Sequence, residues 1–371
     1  MSRKRKSVAA EDAGDKPVYL VVEHKGNKEP SHSIVIAGGT RTPQVMAPLR
    51  RAIRGMSFTA VDSRWIVGVG GDSSCPSTVY DLATSTESVG PIVLKNKVNP
   101  ILIPHRGLLY VLSSRPKIHN IERPDFLPWF ELISFTNGKG GLANFDACPP
   151  CELPPPPIFP YCINPLEYAN PPDVRVAAYA IVDSHILLSV SVSLQQEDVS
   201  LQQEDKGTCA FDMERQVWDM VDTKSLPFLG QAIPLGDHLF VAHSIDDDGT
   251  AAAALFHMTV FPAKDTTTSK TQVSIVKLKV DRSEGGIVQG QHLCSMGRLC
   301  FSSFDVPSVV DQDPDTILEK ARVIQRTYSL VNRGDDLKVR KWQRRIFKLL
   351  VPSHLLARPA PIVAVFTPDS E

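Results

Sequence analysis

Ser63-Arg64-Trp65-Ile66-Val67 runs from a polar turn straight into an apolar stretch. The same register returns at Arg106-Gly107-Leu108-Leu109-Tyr110, Ser184-His185-Ile186-Leu187-Leu188, Asp237-His238-Leu239-Phe240-Val241 and Gly297-Arg298-Leu299-Cys300-Phe301. Self-similarity every few tens of residues marks a repeat in which each unit buries its face only against its neighbours. A second strand-like run follows each copy: Thr78-Val79-Tyr80-Asp81, Trp129-Phe130-Glu131-Leu132-Ile133, Cys209-Ala210-Phe211-Asp212, Ala254-Leu255-Phe256-His257 and Thr327-Tyr328-Ser329-Leu330-Val331. In the third copy a polar turn, Asp212 to Gln216, leads back through Val217-Trp218-Asp219-Met220-Val221. The minimum unit is therefore a three-strand antiparallel meander, with room for a fourth strand.

At roughly 40 to 50 residues per unit, residues 18–371 are expected to form a single all-β domain, a β-propeller of six or seven blades. Val18-Tyr19-Leu20-Val21-Val22 and Ser33-Ile34-Val35-Ile36 read as an N-terminal hairpin. This hairpin and the C-terminal Ile362-Val363-Ala364-Val365-Phe366 are expected to complete one blade between them, closing the ring so that no sheet edge stays open. A β-sandwich with long loops is the alternative. Residues 1–17 are charged and lack an apolar period, and are expected to be a disordered tail. Two insertions interrupt the rhythm. Residues 148–172 are proline-rich and expected to run as a dispensable surface loop. Residues 192–205 are a verbatim duplication of Val-Ser-Leu-Gln-Gln-Glu-Asp, expected at a loop tip. The only helix-compatible stretches lie around Thr316 to Arg326 and Lys338 to Leu350.

The block Trp65-Ile66-Val67-Gly68-Val69-Gly70-Gly71, followed by Val79-Tyr80-Asp81 and a turn through Thr84 and Thr86, resembles a kelch blade. The other copies lack the paired glycines, and only the third, with Phe211-Asp212 and Trp218, keeps an aromatic pair at kelch-like spacing. From Val18 to Phe366 the chain resembles a large plant family of uncharacterised kelch-like propeller proteins expanded in grasses. That resemblance implies a β-propeller and no established activity.

Forty basic and forty-one acidic residues leave a net charge of -1, so no global field draws the protein to nucleic acid or to an acidic membrane. No apolar run approaches the roughly 20 residues that span a bilayer, and the N-terminus lacks a secretory pattern. A soluble, intracellular monomer, cytoplasmic or nuclear, is expected. The seven cysteines form no disulfide framework, and Cys209, Cys294 and Cys300 sit in strand-like runs where a thiol behaves as a small hydrophobe.

No grouping of residues earns assignment as a catalytic, cofactor or metal site. Cys148-Pro149-Pro150-Cys151, with Cys162 nearby, has no second pair to complete a zinc site, and its prolines forbid the helix a redox motif uses. Asp246-Asp247-Asp248-Gly249 lacks the ligand spacing of a calcium loop. His24, His32, His105, His185 and His238 fall at strand-flanking turns, where a shared rim site competes with simple solvation. Ser184, His185, Ser244 and Asp246 assemble a Ser-His-Asp set only on paper, with no nucleophile elbow. Lys338 to Lys348 holds six basic residues and no acid, interleaved with Trp342, Ile346 and Phe347. Nucleic-acid binding, a target helix and an import signal, for which Arg3-Lys4-Arg5-Lys6 is a second candidate, compete with an outer strand or surface helix anchored by buried Trp342 and Ile346. The structural reading is preferred, and nucleic acid is not expected as a partner. The function expected is a non-enzymatic protein-interaction scaffold presenting a partner surface on propeller loops. The alternative is an enzyme or sugar-binding propeller with its site in a central depression.

Overall fold

A computed structural model describes residues 16–25, 31–38, 41–71, 76–118, 124–135, 149–160, 173–193, 203–245, 251–261, 271–279, 287, 290–307, 318–333, 336–357 and 360–367. Among them there is no α-helix. In chain order the strands begin with β1 (Val18–Glu23), β2 (His32–Gly38) and β3 (Arg41–Leu49), then β4 (Met56–Val61), β5 (Trp65–Gly70), β6 (Thr78–Asp81) and β7 (Thr86–Val89). Next come β8 (Ile101–His105), β9 (Leu108–Leu112), β10 (Phe130–Ser134), β11 (Cys151–Glu152), β12 (Asp173–Val182), β13 (His185–Ser193), β14 (Gln203–Asp212) and β15 (Val217–Asp222). The remainder are β16 (Leu229–Gly236), β17 (Leu239–Ile245), β18 (Ala251–Phe261), β19 (Gln272–Lys277), β20 (His292–Gly297), β21 (Cys300–Asp305), β22 (Lys320–Arg333), β23 (Asp336–Leu350) and β24 (Ile362–Phe366).

Consecutive strands pair antiparallel in fours, the meander from which propeller blades are built. The chain divides into two compact units. One, Ile53–Leu278, holds β4 to β19; within it a short parallel pairing, Ala178 with Gly230 and Tyr179 with Gln231, joins β12 to β16. The other, Met1–Ala52 with Lys279–Glu371, holds β20 to β23 and a sheet in the order β24-β1-β2-β3. The expected pairing of the chain ends is thus present, with Leu20 opposite Val365 and the rings of Tyr19 and Phe366 stacked at 6.2 Å. It also explains why only five copies of the repeat are legible. Each quoted turn links the first and second strands of a meander, and in the sheet β24-β1-β2-β3 those two strands, β24 and β1, come from opposite ends of the chain.

Burial follows strand position. The second strands β5 and β21 are buried almost throughout, so their sequences read as continuous apolar runs, whereas the fourth strands β7 and β15 are largely exposed. The turns need left-handed backbone: both Arg106 (φ 48°) and Gly107 (φ 73°), and both Asp237 (φ 52°) and His238 (φ 58°), have positive φ, as type I′ hairpins demand.

The described parts of the two helix-compatible stretches fall in or beside β22 and β23, whose long ladder outweighs local helix preference. Two expectations change. The proline-rich stretch is not simply a surface loop: Cys151 and Glu152 pair with β10 as the fourth strand, and Leu153, Ile158 and Phe159 are buried in the cluster around Trp129, Phe130 and Phe211. The duplication does not sit wholly at a tip either, because Val192 pairs with Glu204 and Ser193 with Gln203, extending the β13–β14 hairpin from one copy into the other.

Candidate functional site

Within unit 53–278, the first-to-second-strand turns and the ends of the third strands lie at the same end of each meander. There Arg64 donates to Asp81 Oδ2 from Nη2 at 2.7 Å and from Nε at 3.1 Å, and lies over the Trp65 ring. Asp81 Oδ1 accepts the Ala83 and Thr84 amides, so although burial alone would raise its pKa, the Arg64 bond and these amides hold it below the usual value. Asp212 repeats the turn device, accepting the amides of Glu214 and Arg215. A depression of about 380 Å³ opens between the β12–β13 and β16–β17 turns, lined by Ile181, Asp183, Pro234, Gly236, Asp237, His238, Leu239 and Phe240. His238 Nδ1 lies 3.7 Å from Asp183 Oδ1, and its ring is 6.1 Å from that of His257. Such a set can exchange hydrogen bonds with a polar ligand, but it brings no nucleophile alongside.

A second charged cluster is internal to the same unit. Lys97 and Glu131, both fully buried, form an ion pair; Glu131 also accepts the amides of Leu94 (2.6 Å) and Lys95 (3.4 Å), and Lys97 donates to the Lys95 carbonyl. Burial lowers the Lys97 pKa against the pull of Glu131. Nearby Asp125 Oδ2 accepts the Val98 amide, and burial pushes its carboxyl up to about 6. These bonds pin the connection from β7 to β8 against β10; sequence reasoning passed over them because Lys97 and Glu131 look like ordinary surface residues.

The third feature lies in the other unit. β23 is the edge of its sheet, bonded in the ladder to β22 alone. From Gln343 to Leu350 its odd-numbered residues face inward: Leu349 is buried and Phe347 packs on the core of Val323 and Ala321. The even-numbered residues of the same stretch face out, with Arg344 and Lys348 exposed, Ile346 48% exposed and Leu350 55% exposed. The expectation that Ile346 is buried is therefore corrected, because the alternation of a strand turns it to the outer face beside the cations. The Trp342 side chain lies outside what is described.

The other sequence candidates are dispersed. His24 and His32 flank the second-to-third-strand connection of their sheet in one unit, whereas His105, His185 and His238 sit at first-to-second-strand turns of the other. His24 and His32 are not simply solvated: both are 1% exposed, and His24 stacks on His354 at 4.5 Å. His185 Nε2 is 3.9 Å from Asp212 Oδ2, too long for a hydrogen bond, and Ser244 is buried and accepts from Lys277. Cys148, Cys162, Asp246 to Gly249 and Arg3 to Lys6 lie outside the described residues; Cys151 is an exposed free thiol. Cys209, Cys294 and Cys300 are buried free thiols, and burial pushes the Cys294 pKa up to about 12. Among the described residues no three His, Cys, Asp or Glu side chains gather as metal ligands, and no helix is long and apolar enough to cross a membrane.

Fold and surface together define an all-β repeat protein of four-stranded meanders. The chain belongs to the family described as protein of unknown function, DUF1668, which matches residues 8–347. No curated protein matches it. Among solved structures it is similar to TolB from Acinetobacter baumannii, at 9% identity and TM-score 0.45 over 95% of this chain and 66% of that one. It is also similar to the structure of YjhT, at 9% identity and TM-score 0.42 over 70% of this chain and 83% of that one. The chain spans just under two thirds of the TolB chain's length.

Proposed function

We propose that this chain is a non-enzymatic protein-interaction module whose six meanders are the blades of one β-propeller. The observation that carries the reading is the outward face of β23, where the exposed cations Arg344 and Lys348 alternate with the exposed aliphatic Ile346 and Leu350 along a sheet edge. Such a surface is costly to leave idle and suits a partner that brings both charge and apolar area. The partner surface is thereby assigned to an outer strand, in addition to the loops. Affinity purification of the full chain with quantitative mass spectrometry is expected to return a stoichiometric protein partner; recovery of none above background counts against the reading.

A second reading, a sugar-binding or enzymatic propeller, draws on the depression beside Asp183, Asp237 and His238. Glycan binding or small-molecule turnover by the purified chain, lost in His238→Ala, would favour it over the first.

A further inference from the structure

The β22–β23 ribbon sets like charges directly opposite one another: Arg322 faces Lys348 and Arg326 faces Arg344. Directly opposed like charges destabilise an antiparallel pair unless neighbouring groups offset them. Asp305 on β21 reaches Arg326 at 3.9 Å, while β23 itself carries no acid between Leu337 and Leu350. Along its outer face Arg344, Ile346, Lys348 and Leu350 form a row of cation, aliphatic, cation, aliphatic, in steps of roughly 7 Å set by strand geometry. At fifteen residues β23 is also the longest described strand, although edge strands are normally kept short to avoid unwanted pairing.

We propose that the edge of β23 along Arg344 to Leu350, which has no ladder partner other than β22 among the described strands, takes an extended acidic peptide segment of a partner protein. The segment adds as a further antiparallel strand, with alternating carboxylate and aliphatic side chains opposite Lys348 and Arg344 and opposite Leu350 and Ile346. The proposal rests on the interaction-module reading above and names its partner class. Main-chain bonds to the edge supply affinity, and the two-residue alternation supplies the register. Three features favour a peptide over a nucleic acid. The exposed apolar members, Ile346 and Leu350, are aliphatic and offer no stacking plane for bases. The net charge of -1 provides no long-range attraction to a polyanion. The spacing of the row is that of another β-strand.

The test uses the full chain and a fluorescent peptide, Val-Thr-Glu-Thr-Val-Thr-Glu, followed by polarisation. The control peptide has the same composition with Glu and Val moved to opposite faces. Saturable binding of the first peptide is expected, weakened by added salt and several-fold weaker for the control. Arg344→Glu/Lys348→Glu should weaken it about tenfold, as two exposed ion pairs would, and Ile346→Thr roughly threefold. Circular dichroism and the melting temperature report whether each variant folds, and Arg344→Gln/Lys348→Gln replaces the reversal if it does not. Equal binding of the control, or full binding by the charge variant, overturns the proposal. So does tighter charge-dependent binding of single-stranded RNA or of phosphatidylserine vesicles. If no probe binds while wild type and charge variant capture the same partner in equal amounts, the edge proposal falls and the module reading stands. If wild type captures no partner, both fall.

Discussion

Two kinds of polar segment, written in much the same alphabet, meet opposite fates in this protein. The connection carrying Lys97 and the proline-rich stretch ending at Phe159 send side chains into cores, with Lys97, Glu131 and Phe159 fully buried. The basic row of β23 rides on the outside. The difference teaches that here position in the meander, more than composition, decides whether a charge serves stability or remains free for recognition. A buried charge must be paired because the interior penalises it severely, whereas an outer-strand charge is hydrated and costs little.

The sharpest way to break that comparison is Lys97→Met, which strands the buried Glu131 carboxylate. A loss of about 3–5 kcal/mol in urea unfolding is expected, partly recovered by Lys97→Met/Glu131→Gln, since the amide oxygen still accepts the Leu94 and Lys95 amides. A change below about 1 kcal/mol would mean that the pair is hydrated in solution. Phe159→Ala should cost about 3 kcal/mol, because its ring packs edge-on to Trp129 at 5.8 Å within the cluster. A neutral result would return the proline-rich stretch to the class of dispensable loops.

Asp125 gives a smaller, pH-dependent effect. Its carboxyl is pushed by burial from an ordinary 3.8 to about 6, so the folded chain holds a proton there that the unfolded chain has released. The stability this group contributes is complete below about pH 4 and lost as pH rises through about 6. Asp125→Asn should therefore raise the melting temperature relative to wild type more at pH 7.5 than at pH 4. An offset independent of pH would refute the assignment. Asp81 and Asp173, held below their ordinary pKa, act in the opposite sense and lose stabilisation as pH falls.

At the duplication, deleting residues 195–201 should change stability by less than about 1 kcal/mol. One copy of the duplication then keeps Val192 and Ser193 opposite the same Glu and Gln, with two residues left in the turn. Smallest of all, Arg344→Gln with Lys348→Gln should alter stability by no more than about 0.5 kcal/mol. A large loss in thermal unfolding would make that row structural and would leave the peptide proposal without its premise.

The second strands were legible because both faces are buried: β5 and β21 read as unbroken apolar runs after a turn. Strand β11 was not, being two residues long inside a proline run. Strand β23 was obscured because Ile346 and Phe347 are adjacent, and only the ladder assigns one outward and the other inward. The candidate site was half legible. The basic residues stood out by composition, but which of them share a face with Ile346, and that Arg322 stands opposite Lys348, depends on register between strands.

By itself the sequence determined that the chain is built of repeated strand-turn-strand units, since period-two burial and turn chemistry act between near neighbours. It also supplied the apolar ends that pair as β24 and β1. Only the tertiary structure decided that Glu131 meets Lys97, that Phe159 joins a core and that one row of cations lies open on an edge. These outcomes depend on pairings between residues tens of positions apart, and loop-closure entropy leaves many such pairings open until the cooperative burial of whole sheets selects one.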